Sequence, residues 1–228
     1  MTPQAPPHPF NSANLSYRAI RDADIAIFRA ISDDVHGFQN SNFGNISLPS
    51  DTDTKDFMTI CADSSKYLLG VVIWLNHPAD LSKEKIRELV KKSKDEGKEG
   101  LVEDWGIAIG ELHLSRLPRG SSHHRWTEVG IDVIPEYQGR GYGKEAILWG
   151  LDYAFRRAGL HRVRIRAFEW NEGAIRLYKK IGFKMEGRER QAYWFEGRWW
   201  DGIEMGMLEG EWRALTEMIA GRGEKKEE

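Results

Sequence analysis

The sequence predicts a mixed α/β (α+β) fold, a central mixed sheet flanked by helices in one domain. Three observations carry this reading. Apolar runs of strand length, Tyr67 to Leu75, Gly106 to Leu114 and Trp126 to Ile134, succeed one another as a meander with turn-forming residues between them. After Pro135 the pattern changes to helix over 141–157, strand over 162–168 and helix over 172–180. Two more strand-like runs then fill Phe183 to Leu208, joined at Glu196-Gly197, a dipeptide suited to a hairpin turn.

Taken from the N-terminus, residues 1–14 form a proline-rich, polar stretch expected as a flexible lead. A short strand is predicted from Leu15 to Arg21, and Asp22 then caps a helix whose partly apolar face holds Ile25, Ile27, Phe28 and Ile31. Asp51 to Ile60 reads as a second helix. Between the first two meander strands, residues 82–99 place Ile86, Leu89 and Val90 on one face among alternating charges. This is a solvated helix within an insertion at about 76–104, to which no chemistry is assigned. A closing helix begins near Glu209, and 221–228 is a charged tail, leaving 15–220 as the folded domain.

The chain has 228 residues, 40% hydrophobic and 30% charged, enough for one domain with a sizeable core. Its 33 basic and 35 acidic residues give a net charge of -2, so no field that would collect nucleic acid is present. The single cysteine, Cys61, cannot form an intramolecular disulfide or a cysteine-rich zinc site and is expected to be a quiet core thiol. His113, His123 and His124 lack an H-E-x-x-H arrangement, so no metal is expected. Residues 1–9 lack the basic and apolar regions of a secretory signal, and no run of about 18 apolar residues occurs. The expectation is a cytoplasmic or nuclear protein that does not engage membranes.

Residues 138–144, Gln-Gly-Arg-Gly-Tyr-Gly-Lys, follow a strand and open a helix. The first N–H groups of a helix lack intrahelical partners and sit at its positive end, so they can bind phosphate oxygens, and glycine lets a ligand approach closely. Arg140 and Lys144 add cations. A dinucleotide fingerprint starting at Gly139 would require glycine at position 144, which holds Lys144. A Walker loop would require glycine at 138 and Ser or Thr at 145, where Gln138 and Glu145 stand.

What remains resembles the acetyl-CoA motif of the GNAT N-acetyltransferases, Gln/Arg-x-x-Gly-x-Gly/Ala, which Gln138, Gly141 and Gly143 match without a gap after the strand Glu128 to Val133. A second stretch, Asn171 to Phe183, resembles the family's N-x-x-A-x-x-L-Y-x-x-x-G-F pattern through Asn171, Ala174, Leu177, Tyr178, Gly182 and Phe183. The likeness runs from about Leu15 to Trp212, and residues 196–208 resemble the ribosomal-protein-alanine and spermidine acetyltransferase branches. It implies a mainly antiparallel sheet whose central strands splay, with acetyl-CoA as co-substrate. It further implies that the arm of the cofactor meets Ile131, Asp132 and Val133, and that its pyrophosphate meets Gln138, Gly139, Arg140, Gly141, Tyr142, Gly143 and Lys144. Asn171 and Ala174 are implied to flank it.

By the same resemblance, Tyr178 is the acid that assists the leaving CoA sulfur when an amine attacks in a ternary complex. A phenol near ~10 facing a thiolate of ~8.5 is an unfavourable donor by roughly 2 kcal/mol, so hydrogen bonding can suffice. The acceptor must first lose a proton. Strand alternation puts Glu128, Gly130 and Asp132 on one face, making Glu128 the candidate base and Asp132 the alternative. The acceptor is a primary amine: a protein N-terminus, a polyamine or a small amine, chosen by loops within 33–50 and by the final hairpin. A homodimer is one expected assembly. A non-catalytic acyl-CoA-binding module is the competing class, opposed by the intact Tyr178. A thioesterase lacks its G-x-S-x-G nucleophile. The aromatic residues Tyr193, Trp194, Phe195, Trp199 and Trp200 are expected to pack rather than to bind substrate.

Overall fold

The computed structural model describes residues 8–224. Its strands are β1 (Leu15–Ala19), β2 (Tyr67–Asn76), β3 (Val102–Glu103), β4 (Gly106–Ser115), β5 (Trp126–Val133), β6 (Arg162–Phe168), β7 (Lys184–Phe195) and β8 (Arg198–Leu208). Its α-helices are α1 (Ile25–Ser32), α2 (Val35–Ser41), α3 (Asp51–Ala62), α4 (Lys83–Asp95), α5 (Tyr142–Asp152), α6 (Glu172–Ile181) and α7 (Glu209–Glu224). The strands form a sheet in the order β1-β2-β4-β5-β6-β8-β7, with the short β3 pairing β4. Every named pair is antiparallel except β5 with β6. The mixed, mainly antiparallel sheet with flanking helices is therefore the fold that the sequence predicts.

The near-continuous apolar run of β2 reflects burial on both faces. Val71 and Ile73 enter the larger core with Leu112, Leu114, Ile147 and Ile165, whereas Val72 and Trp74 enter a second core with Ile27, Phe28, Met58 and Cys61. Cys61 is the expected quiet core thiol, buried and free.

The β2–β4 register passes from Ile73 opposite Gly110 to Trp74 opposite Ala108, which leaves Ile109 as an extra residue. This bulge reverses the alternation of β4. Ile109, Leu112 and Leu114 therefore share the larger core, and Glu111 and His113 turn toward the face of α2 and α3.

Residues 8–14 differ from the polar lead expected of them. Ser12 Oγ and the Asn14 backbone N–H donate to Glu145 Oε1 at 2.6 and 2.7 Å, and Trp149 Nε1 donates to the Pro9 carbonyl at 3.0 Å. Tyr17 stacks on Trp149 with ring centroids 3.6 Å apart. The remainder of the lead, 1–7, and the tail residues 225–228 lie outside the described residues. Of the insertion, α4 occupies Lys83–Asp95 under a Ser82 cap, and β3 returns the chain to the sheet edge. The sequence did not announce α2: its only large apolar residues, Val35 and Phe38, give no helical period, and none of its residues is buried.

Candidate active site

The parallel ladder between β5 and β6 holds only from Trp126–Glu128 against Arg162–Arg164. Beyond it, residues 129–133 of β5 remain paired with 110–114 of β4, while β6 continues along β8. The two central strands part, and the edge of β5 from Val129 to Val133 lines a cavity of about 1090 Å3. A strand edge without a neighbouring strand leaves backbone N–H and C=O groups that an extended ligand can satisfy in that place.

At the end of this edge the chain makes a 3-10 turn at Pro135–Tyr137, and Gln138 Nε2 donates to the Val133 carbonyl at 2.7 Å, fixing the turn to the strand. Gly139 (φ 70°) and Gly141 (φ 90°) take left-handed conformations, and Gly141 caps α5 without any side-chain hydrogen bond to the helix start. A Cβ placed on Gly139, Gly141 or Gly143 would meet nothing within 4 Å. The glycines thus keep an open cradle in front of free helix N–H groups, the condition for binding a diphosphate.

Among the residues predicted to meet the cofactor, Ile131, Asp132, Val133, Gln138, Gly139, Gly141, Gly143, Lys144, Asn171 and Ala174 all line the cavity. Arg140 and Tyr142 are not part of its wall. The Arg140 guanidinium instead lies 5.6 Å from the centre of the Tyr137 ring, and Tyr142 packs against the larger core.

Across the cavity, α6 begins at Asn171, whose Oδ1 accepts from the Ala174 N–H at 3.1 Å, and ends at Gly182 in the left-handed conformation (φ 116°). Trp170 Nε1 donates to the Gln39 carbonyl at 3.2 Å and Asn171 Nδ2 to the Asn40 carbonyl at 3.3 Å, so α2 is strapped to the start of α6 as a further wall. Tyr178 lines the cavity from α6 and is nearly buried. Burial, reinforced by the negative charge of Asp132, holds its phenol well above the usual tyrosine value, so it is a hydrogen-bond donor throughout the physiological range.

Glu128 and Asp132 both line the cavity, and their situations differ. Glu128 Oε1 accepts from Arg166 Nε at 2.7 Å. This ion pair ties the Glu128 side chain to β6 at the cavity wall. Asp132 is pushed up to about 7, first by burial and then by the Glu111 carboxylate, while Ser41 and His113 act in the opposite sense and Asp34 raises it further. Glu204 is neutralised as well, by Arg164 at 2.5 Å. Asp34 and Asp132 are the cavity carboxylates without an ion-pairing cation among the described residues.

Sequence reasoning missed Glu111, His113 and Tyr67 as parts of this region; it did assign 33–50 to the acceptor, but as loops, where the structure forms α2 and brings Asp34 and Ser41 to the cavity wall. A single charged residue, Glu111, inside the apolar run of β4 was the available signal. It also found no cluster around the histidines, whereas the fold brings Cys61, Glu111 and His113 within 4.8 Å of one another. His113 Nδ1 lies 3.1 Å from both Glu111 oxygens, and burial, with the charges of Glu111 and Asp132, pushes the Cys61 thiol far up. The grouping is therefore a carboxylate–imidazole pair beside a protonated thiol. Of the hairpin aromatics, Phe195 and Trp200 pack on Trp170 as expected, whereas Tyr193 faces the cavity and Trp194 and Trp199 stand exposed, so packing accounts for only part of the cluster.

Known proteins share both sequence and shape with this chain. It is 32% identical over 114 residues to the spermidine N(1)-acetyltransferase of Escherichia coli (strain K12), a match covering 50% of this chain and 60% of that protein. The spermidine N(1)-acetyltransferase of Vibrio cholerae is 30% identical over 147 residues, covering 63% and 83%. A crystal structure of the Vibrio cholerae spermidine N-acetyltransferase in complex with CoA and spermine superposes with a TM-score of 0.65 at 19% identity, covering 88% of this chain and 99% of that one. The family model described as an acetyltransferase (GNAT) domain matches residues 45–184. That span takes in the parted strands, the glycine cradle and Tyr178, and the chain belongs to the GNAT acetyltransferase family.

Proposed function

We propose that the protein transfers the acetyl group of acetyl-CoA, the co-substrate of its family, to a primary amine by direct attack in a ternary complex. One observation carries this reading: the open glycine cradle, the unpaired edge of β5 and the buried Tyr178 phenol all face a single cavity. Acetyl-CoA supplies an activated thioester. The N–H groups at the start of α5, with the Lys144 ammonium, bind its diphosphate, and the β5 edge at Ile131 to Val133 takes its amides. Gln138 and Asn171 hold the turn and the α6 start that frame them.

Tyr178 donates a hydrogen bond to the sulfur as it departs. Because burial raises the phenol above its usual value, full proton transfer to a thiolate is more uphill than for an exposed tyrosine, and stabilisation by the hydrogen bond is its contribution. The acceptor side carries Asp34 and Asp132, which have no ion-pairing cation among the described residues, and this favours an acceptor that arrives as an alkylammonium. The spermidine acetyltransferases among the relatives support a polyamine within that class. Glu128, held by Arg166, shapes the wall beside it.

The test is acetyl-CoA turnover, read as free thiol, against polyamines, amino acids and peptides with free N-termini. Acceptor-dependent release with a polyamine is the expected result. Binding of acetyl-CoA without release for any amine would leave a non-catalytic acyl-CoA-binding module.

A further inference from the structure

Attack requires a neutral amine, and an alkylammonium near ~10.4 is almost wholly protonated at neutral pH. Some group in the cavity must take that proton. Glu128 is committed to Arg166. Asp132, when ionised, is the counter-charge that the ammonium itself attracts.

His113 is placed differently. It stands on β4 opposite Gly130 of β5, and a Cβ on Gly130 would lie 2.2 Å from its Nε2, so the imidazole occupies the space that a side chain at position 130 would fill. The ring lines the cavity there, packed edge-on against Tyr67 with centroids 4.6 Å apart. Its other nitrogen, Nδ1, lies 3.1 Å from both oxygens of Glu111, a carboxylate that is 0% exposed. An ionised carboxylate only accepts hydrogen bonds, so Nδ1 carries the hydrogen and neutral His113 keeps a lone pair on Nε2. Among the described residues Nε2 takes no hydrogen-bond partner, whereas Nδ1 is fully occupied.

We infer that His113, oriented and charge-balanced by the buried Glu111, is the general base that deprotonates the acceptor amine. This deepens the proposed acetyl transfer and rests on it. In the step, the N–H bond of the ammonium breaks, its electron pair stays on the amine nitrogen, and the proton bonds to Nε2. The resulting imidazolium is matched by Glu111 and returns the proton to water from the open side of the cavity. Glu111 touches no substrate and is a positioning residue. A buried carboxylate is costly unless it is hydrogen-bonded and charge-paired; the His113 ring supplies the hydrogen bond, and its protonated form supplies the charge.

The groups facing the imidazole are Glu111 on its own strand, Asp132 and Glu128 on β5, Cys61 on α3 and Tyr67 on β2. Burial opposes the imidazolium, but Glu111, by charge and hydrogen bond, together with Asp132 and Glu128, outweighs it and raises His113 above its ordinary value. A base raised toward the amine's own value makes the transfer less uphill.

The experiment combines two readouts on the whole protein. In proton NMR of the ligand-free protein, the His113 ring resonance, assigned by its loss in His113→Gln, should titrate above ~6.5, and Glu111→Gln should move it downward. In turnover with the best amine found, kcat/KM should rise with pH on a limb with the same midpoint. That limb should shift down in Glu111→Gln and vanish in His113→Gln, with activity lowered about 100-fold or more and acetyl-CoA affinity retained. Imidazole added to His113→Ala should restore part of the rate. The inference is overturned if His113→Gln keeps the limb, or if Asp132→Asn abolishes it while His113→Gln does not. Absence of turnover in the unmodified protein would instead overturn the acetyl-transfer reading, and the NMR titration would still report on the pair.

Discussion

Asp132 on β5 stands directly opposite Glu111 on β4 in the antiparallel register. Two carboxylates on one face of adjacent strands repel, and both lie where water is scarce. His113 bonds one of them, so the strain falls on the other: Asp132 is the acid displaced to about 7. The site thus holds a carboxyl group poised near neutrality between an imidazole and the Tyr178 phenol, both of which its charge influences.

The first prediction follows from that displacement. An unfolded aspartate titrates near ~4, and the folded one near 7, so between those values the folded state binds more protons. Stability therefore falls as pH climbs through this window and stays lowered above it. Asp132→Asn removes the charge, and Tm at pH 8 should rise by about 3 °C for each kcal/mol recovered. The gain should fade toward pH 4, as followed by thermal unfolding in a pH series. A gain of equal size at pH 4 would trace to packing rather than to charge.

Tyr178→Phe deletes a donor while preserving the ring that packs against Phe183. If the phenol acts only as the sulfur departs, kcat should drop at least about tenfold with acetyl-CoA affinity nearly unchanged, the mark of an interaction made in the transition state. Steady-state kinetics beside calorimetric binding measures both quantities. An equal loss of affinity would make Tyr178 a structural residue.

Glu128→Gln separates two roles for the carboxylate chosen from strand alternation. Its bond from Arg166 at 2.7 Å predicts a loss in kcat of less than about tenfold, with a rise in the acceptor KM as the larger effect, because a general base is worth about 100-fold or more. A fall in kcat beyond about 100-fold would restore Glu128 as the base.

Much of this architecture was legible because it rests on local rules. The two-sided burial of β2 writes itself as an unbroken apolar run, and the turns at Gly197 and Gly182 announce themselves by glycines, which tolerate positive φ. The cradle was legible for the same reason. Of the acceptor wall, the segment 33–50 was legible, but its helical form and the β4 residues beside it were not. The extra residue at Ile109 depends on how β2 and β4 meet, and it alone decides that Glu111 and His113 face the site instead of the core. Likewise α2 is held by Trp170 and Asn171, about 130 residues away in the chain, and no periodicity within it could reveal that contact. The Arg166 partner of Glu128 sits on a strand that joins β5 only for three residues.

The cradle glycines separate folding from binding. Gly143 lies within the first turn of α5 at an ordinary φ with open space around it, so Gly143→Ala should leave stability unchanged or raise it by up to about 1 kcal/mol, as alanine favours the helix. Gly143 nonetheless lines the cavity, so an added methyl takes space at the helix start that a diphosphate would use, and acetyl-CoA affinity should fall about tenfold. Gly141→Ala meets equally open space, but its φ of 90° strains any L-residue, so it should lose about 1–2 kcal/mol of stability as well as affinity. Denaturant unfolding and acetyl-CoA titration on the two variants provide the comparison. Full retention of affinity in Gly143→Ala would mean that the ligand does not approach the helix start.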